Sequence, residues 1–241
     1  MREPDAPSPV DAARLLALDT GSPRVSVAVA LAGTVVAERS LEQARSSAEL
    51  LRQIDDCLRA AQLRAADLTA IAVLRGPGSF TGLRIGLATV HGLRAALGTA
   101  VAVLPSLRVL AEHARERRNA SQSLGALAES RAPRAWIGAV DALRGEWYMQ
   151  SFSGVALTPE GEAAIVSAAA LAARAPATVC GFGVAALAAR EGWPADCEAL
   201  EADSVAATAA RLAPNLPELW DAQLLTAPLY LREPAVTLPA R

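Results

Sequence analysis

The segment GPGSFTGLRIG, Gly76 to Gly86, places glycines, a serine and a threonine between an apolar run of strand length and a stretch with helical spacing. Backbone amides of such a loop, together with the amino end of the helix it opens, point beyond the strand and attract anions. Gly76, Gly78 and Gly82 allow positive φ or close backbone approach, and Ser79 and Thr81 can cap the helix or meet a phosphate oxygen. Arg84, in the first turn, is a further candidate phosphate contact. A tight capped turn with no ligand demands the same residue types, and spacing does not separate the two uses.

Two carboxylates stand in matching places. Asp19 ends the run RLLALD and Asp141 ends AWIGAVD, each before a short turn containing glycine and a returning strand, which places both at strand ends facing a cleft. A two-metal nuclease needs several converging carboxylates, but the strand before the loop ends in Leu74 and Arg75, and the best further acid, Glu49, lies early in a helix. A metal-dependent transferase or peptidase needs paired histidines at helical spacing. The only histidines, His91 and His113, fall on different helices and read as solvent or interface groups. All 23 basic residues are Arg, so a phosphate-loop or Schiff-base lysine is excluded. Cys57, Cys180 and Cys197 are odd in number and lack C-x-x-C spacing, which argues against disulfides and zinc and for the cytoplasm. No metal ligand and no catalytic residue is assigned.

The elements that position these residues follow from periodicity. RLLALD, RVSVAVAL and TVVAERS read as three strands linked by short turns. SSAELLRQIDDCLRAAQ is an amphipathic helix with Leu50, Leu51, Ile54, Cys57, Leu58 and Ala61 on its apolar side. A strand at LTAIAVLRG, a helix through about Leu97 and the strand AVAVLP complete the order strand, strand, strand, helix, strand, helix, strand, a ribonuclease-H-like layer with a mixed sheet flanked by helices. After the helix SLRVLAEHARERR, a second unit near Ala135 repeats the opening hairpin; residues 162–213 read as Ala-rich and mostly helical with one strand at ATVCGF, and PLYLREP as extended.

With 241 residues and 52% hydrophobic content, the chain can form one large domain or two small ones. Its apolar stretches fall short of the roughly 20 residues of a membrane-spanning helix, and the opening MREPDAPSPVDAA reads as a disordered tail and not a secretory signal. The net charge of −2 lacks the footprint of a protein that grips nucleic acid alone, so Arg108, Arg115, Arg117 and Arg118 read as a solvated helix end.

The helix after the glycine loop carries two apolar stripes. Ile85, Ala88, Thr89, Gly92 and Ala96 form one and Leu83, Leu87 and Val90 lead the other, so that it can be buried on two sides. Small residues suit close helix approach and leucines suit a sheet, which assigns the first stripe to a partner and the second to the core.

In order and separation, LLALDTGS, SSAELL, GPGSFTGLRIGLATVHGL, AVAVLPSLRVLA, VDALRGEWY and PLYLR resemble the TsaB (YeaZ) family, from Leu15 to Arg232. The resemblance implies an α/β actin-like fold with two ribonuclease-H-like lobes, the second abbreviated: a tail at 1–13, an N-terminal lobe over 14–104 joined by about 214–232, a smaller lobe over 105–213 and a flexible end at 233–241. It implies a non-catalytic, cytoplasmic scaffold for threonylcarbamoylation of the tRNA adenosine next to the anticodon. That role is shared with a TsaD-type paralogue, which transfers the group, and a TsaE-type ATPase. ATP or ADP would bind within the complex, tRNA would be met only through it, and a homodimer could form when the chain is alone. An actin-like ATP-dependent small-molecule kinase is the alternative, but the abbreviated second unit leaves little room for an adenosine pocket, and no general base is apparent.

Overall fold

A computed structural model describes residues 13–42, 47–123 and 135–231. The expected tails at 1–13 and 233–241 lie outside these residues, apart from Ala13.

The first sheet is built from β1 (Arg14–Asp19), β2 (Arg24–Leu31), β3 (Thr34–Glu42), β4 (Ala70–Leu74) and β5 (Ala100–Leu104), in the order β3-β2-β1-β4-β5. β1, β2 and β3 pair antiparallel, while β4 joins β1 and β5 joins β4 in parallel. Between them run α1 (Ser47–Ala60) and α2 (Phe80–Leu97). Strands buried on both faces need not alternate polar and apolar residues, which is why β4 and β5 read as unbroken apolar runs. The two faces differ in residue size. Leu16, Leu18, Val27, Val29, Ile71 and Val73 share a core with Leu50, Ile54, Leu58, Leu87 and Val90 of the helices. Leu51, counted with them on the sequence, is 48% exposed, because it lies about 100° around the helix from Leu50.

The second sheet comprises β6 (Ala135–Asp141), β7 (Glu146–Ser153), β8 (Thr158–Ser167), β9 (Ala177–Gly181) and β10 (Cys197–Glu201), in the order β10-β9-β6-β7-β8. Read from its other edge, it has the order and strand senses of the first sheet: an antiparallel meander β6-β7-β8, then β9 and β10 parallel to β6. The chain is therefore a duplication, and its two mixed sheets form the two-lobed actin-like fold. Residues 162–213 are not mostly helical: they contain the end of β8 and all of β9 and β10. TPEGEAAIVS and CEALE carry no strand signal because they are edge strands whose side chains, Cys197 apart, are exposed or only partly buried, so no buried apolar run marks them. The second lobe is abbreviated in its helices, α4 (Ala168–Ala172) and α5 (Val184–Glu191), and not in its sheet.

The lobes exchange helices. α3 (Ser106–Ser123) leaves β5 and packs on β6, β7 and β9, whereas α6 (Ala206–Leu212) leaves β10 and packs on β1, β2 and β3. α6, placed with the second lobe by its position in the sequence, thus covers the first sheet. Its Ala206, Ala209 and Ala210 meet a face carrying Ala17, Ala28, Ala30, Ala72 and Ala102, where small side chains let helix and strands approach closely. The closing segment returns to the first lobe: the 3-10 turn Ala222–Thr226 buries Leu225 among α2 and β5, and Leu229 N–H donates to the Arg75 carbonyl at 2.8 Å. Among the described residues no helix is long and apolar enough to cross a membrane.

Candidate functional site

The glycine loop is fastened to the first hairpin. Ser79 N–H donates to the Gly21 carbonyl at 2.7 Å, Ser106 N–H donates to the Gly76 carbonyl at 2.8 Å, and Gly76 has φ +107°. Ser79 caps α2, its side chain accepting from Gly82 N–H at 3.3 Å. A Cβ on Gly78 would lie 2.7 Å from the Gly21 carbonyl oxygen, one on Gly82 2.0 Å from that of Thr20, and one on Gly86 2.1 Å from Thr20 Oγ1. The spacing of four thus sets a bare helix face against the β1–β2 turn. These contacts account for the glycines by packing alone. Thr81 is exposed, and Arg84 leans on its own chain: its guanidinium carbon lies 3.8 Å from the Phe80 ring centre, and its Nε donates to the Tyr230 hydroxyl at 3.4 Å. Phe80 and Tyr230 had not been singled out on the sequence; the aromatic within PLYL was the available signal.

Asp19 and Asp141 do occupy equivalent strand ends, and each closes its turn in the same way. Asp19 Oδ1 accepts from Gly21 N–H at 3.0 Å and from Ser22 N–H at 3.3 Å; Asp141 Oδ1 accepts from Leu143 N–H at 2.7 Å. Their surroundings are opposite. Asp141 is exposed, whereas Asp19 is fully buried, so it does not face an open cleft. Asp19 Oδ2 has no hydrogen-bond partner among the described residues, and burial pushes the carboxyl up to about 6 against the pull of the hydrogen bonds from Ser22 and Gly21.

Between the first sheet and the exchanged helices lies a cavity of about 630 Å³, lined by residues that include Arg24, Glu38, His113, Arg117, Asp203 and Arg211. His113 is buried and not a solvent group. Its tautomer follows from its neighbours. Thr208 has one hydroxyl hydrogen, which it donates to Glu116 at 2.7 Å, so its contact with His113 Nδ1 at 3.1 Å must be a donation from the ring. Nε2 is left as an acceptor with no donor among the described residues, 3.6 Å from Asp203 Oδ1, and burial lowers the imidazole below its ordinary value. The arginines of α3 are likewise not a solvated helix end. Arg115 pairs with Glu112, Arg117 with Asp203 at 3.2 Å and Arg118 with Glu198 at 2.8 Å, while Arg108 donates to the Ala156 carbonyl at 2.7 Å. All but the Arg115 pair tie α3 to the second lobe or to the connection leading to α6.

The two stripes of α2 separate in space. Leu83, Leu87 and Val90 are buried, whereas Ala88, Gly92 and Ala96 are exposed and Ile85 and Thr89 are intermediate. Among the described residues, nothing outside the helix's own backbone lies within 4 Å of a Cβ placed on Gly92. Among the described residues no group of three or more His, Cys, Asp or Glu could hold a metal ion. The three cysteines are buried and free, and burial raises each thiol, that of Cys57 to about 11, which removes them from nucleophilic chemistry.

A family model described as TsaD, tRNA N6-adenosine threonylcarbamoyltransferase, matches residues 34–150. The tRNA threonylcarbamoyladenosine biosynthesis protein TsaB of Escherichia coli (strain K12) is 32% identical over 149 residues, which cover 61% of this chain and 63% of that protein. Its namesake from Haemophilus influenzae is 36% identical over 115 residues, 47% of this chain and 48% of that protein. The matched stretches thus span about half to just under two thirds of these relatives. The structure of YeaZ from Pseudomonas aeruginosa superposes with a TM-score of 0.72 at 27% identity, covering 91% of this chain and all of that one.

Proposed function

We propose that the chain is a member of the TsaB (YeaZ) family, which it resembles in sequence and fold, and that it serves threonylcarbamoyladenosine biosynthesis as a non-catalytic subunit, scaffolding and activating a TsaD-type transferase in the cytoplasm. The names of its relatives support the pathway. The observation that carries the scaffold role is the outward face of α2, where Ala88, Gly92 and Ala96 stand exposed on a helix whose other face is closed by Leu83, Leu87 and Val90. Small side chains bring a second helix close to this backbone, and burying the face would remove apolar surface from water on both partners. Gly76, Gly78, Ser79 and Gly82 act in this reading as the support of that helix, fixing its start against the β1–β2 turn. ATP or ADP would be bound within the complex, where a TsaE-type ATPase also takes part, and tRNA would be met through the complex.

Reconstitution with a TsaD-type paralogue tests the proposal. Mixing the two should give a complex whose mass is the sum of both, and threonylcarbamoyl transfer to tRNA should depend on adding this chain, which alone should neither modify tRNA nor turn over ATP steadily. Transfer that is unchanged when the chain is omitted would contradict the scaffold role, and steady ATP turnover by the purified chain would favour the kinase reading.

A further inference from the structure

Arg84 is held from two sides by its own chain. Its guanidinium lies over Phe80 at 3.8 Å, its Nε donates to the Tyr230 hydroxyl at 3.4 Å, and the Tyr230 and Phe80 rings pack with centroids 5.1 Å apart. The bond from Leu229 N–H to the Arg75 carbonyl fixes the segment that brings Tyr230 there. An aromatic ring and a hydroxyl orient the guanidinium without an opposite charge, and no described carboxylate lies in ion-pair range of Arg84. The whole helix, FTGLRIGLATVHGLRAAL, contains no Asp or Glu. Arg84 and His91 are both exposed, and at about 100° per residue they lie within about 60° of Ala88, along one edge of the small-residue face.

An arginine already ordered by stacking loses little conformational freedom on binding, and its remaining N–H groups match a carboxylate as a fork. We propose that Arg84, pre-organised by Phe80 and Tyr230, is the anchor that receives a carboxylate of the transferase paralogue, so that this edge of α2 selects an acidic partner surface over a second copy of the chain. The inference rests on the reading of α2 as the interface. In a two-fold pair of identical chains the same patch serves both sides, and a helix without Asp or Glu offers the Arg84 of its copy no carboxylate. Such a pair leaves the guanidinium without a counter-charge, whereas attraction to an acidic partner is strongest at low salt.

Titrating the folded chain with its TsaD-type paralogue at low and high salt tests the anchor, with a thermal melt of each variant. The wild-type complex should weaken as salt rises. Arg84→Gln should lower affinity at low salt by at least about tenfold and flatten the salt dependence. Tyr230→Phe, which keeps the ring and loses the hydroxyl, should cost only a few-fold and leave the salt dependence in place. If Arg84→Gln binds with wild-type affinity and salt dependence while Ala88→Asp no longer pairs, the anchor is wrong and the interface stands. If Ala88→Asp pairs normally as well, the α2 interface falls and the anchor with it.

Discussion

The carbonyl oxygen of Thr20 lies 2.0 Å from the place a Cβ on Gly82 would occupy, so the β1–β2 turn and α2 are in backbone contact at that point. Gly82→Ala must therefore push α2 off the hairpin, and we expect it to cost about 3 kcal/mol, the upper end of the usual range for overpacked core sites. Gly92→Ala on the same helix meets nothing within 4 Å and should raise stability by about 0.5–1 kcal/mol through helix propensity. It should also weaken pairing with the paralogue, because the added methyl keeps the helices apart. Chemical denaturation of both variants checks the contrast; equal effects on stability would contradict the packing described.

Asp19 should make the protein more stable in mild acid. Its pKa is raised to about 6 in the fold, above the ordinary carboxylate value of 3.8, so the folded chain takes up a proton first as pH falls. Its stabilisation is fully present below about 3.8 and is lost as pH rises through about 6, a span worth about 3 kcal/mol. Asp19→Asn keeps an acceptor for Gly21 N–H and removes the buried charge. Melts across pH 4 to 7 should show the acid-side gain disappearing and the stability at pH 7 rising; a large loss at pH 7 would contradict this.

His113 should act with the opposite sign. Its folded pKa is depressed by burial, so the unfolded chain binds the proton more readily. Stability from this group is present above the ordinary histidine value of 6.5 and is lost as pH falls through the depressed one. His113→Gln retains a donor for Thr208 and cannot titrate, so its stability should fall less in acid than that of the parent. An unchanged acid limb in the variant would remove His113 from the account.

The first lobe was legible because its strands are apolar runs or alternating hairpins and its helices have a clear apolar side, as in RVSVAVAL and the Leu50, Ile54, Leu58 stripe. The duplication was legible in the matching ends at Asp19 and Asp141. β8 and β10 were not, since edge strands of exposed Ala and Glu carry no alternating pattern. The roles of buried groups were also hidden. Whether Asp19 is open or enclosed depends on α2 packing against the β1–β2 turn, and that His113 meets Thr208 depends on α6 reaching α3 across 95 positions of chain. The burial of Leu83, Leu87 and Val90 was legible because leucines and small residues fall on opposite sides of one helical wheel.

The most direct test of the scaffold reading is a binding titration of Ala88→Asp against the TsaD-type paralogue, with Leu87→Asp as the control one residue away. Leu87 is 4% exposed, so an aspartate there buries an unpaired charge and should unfold the lobe, whereas Ala88 is exposed and its variant should melt like the parent. The account predicts that folded Ala88→Asp binds the paralogue at least about tenfold more weakly and no longer stimulates threonylcarbamoyl transfer, since its charge would be desolvated in the interface. Binding at parental affinity by folded Ala88→Asp would contradict it.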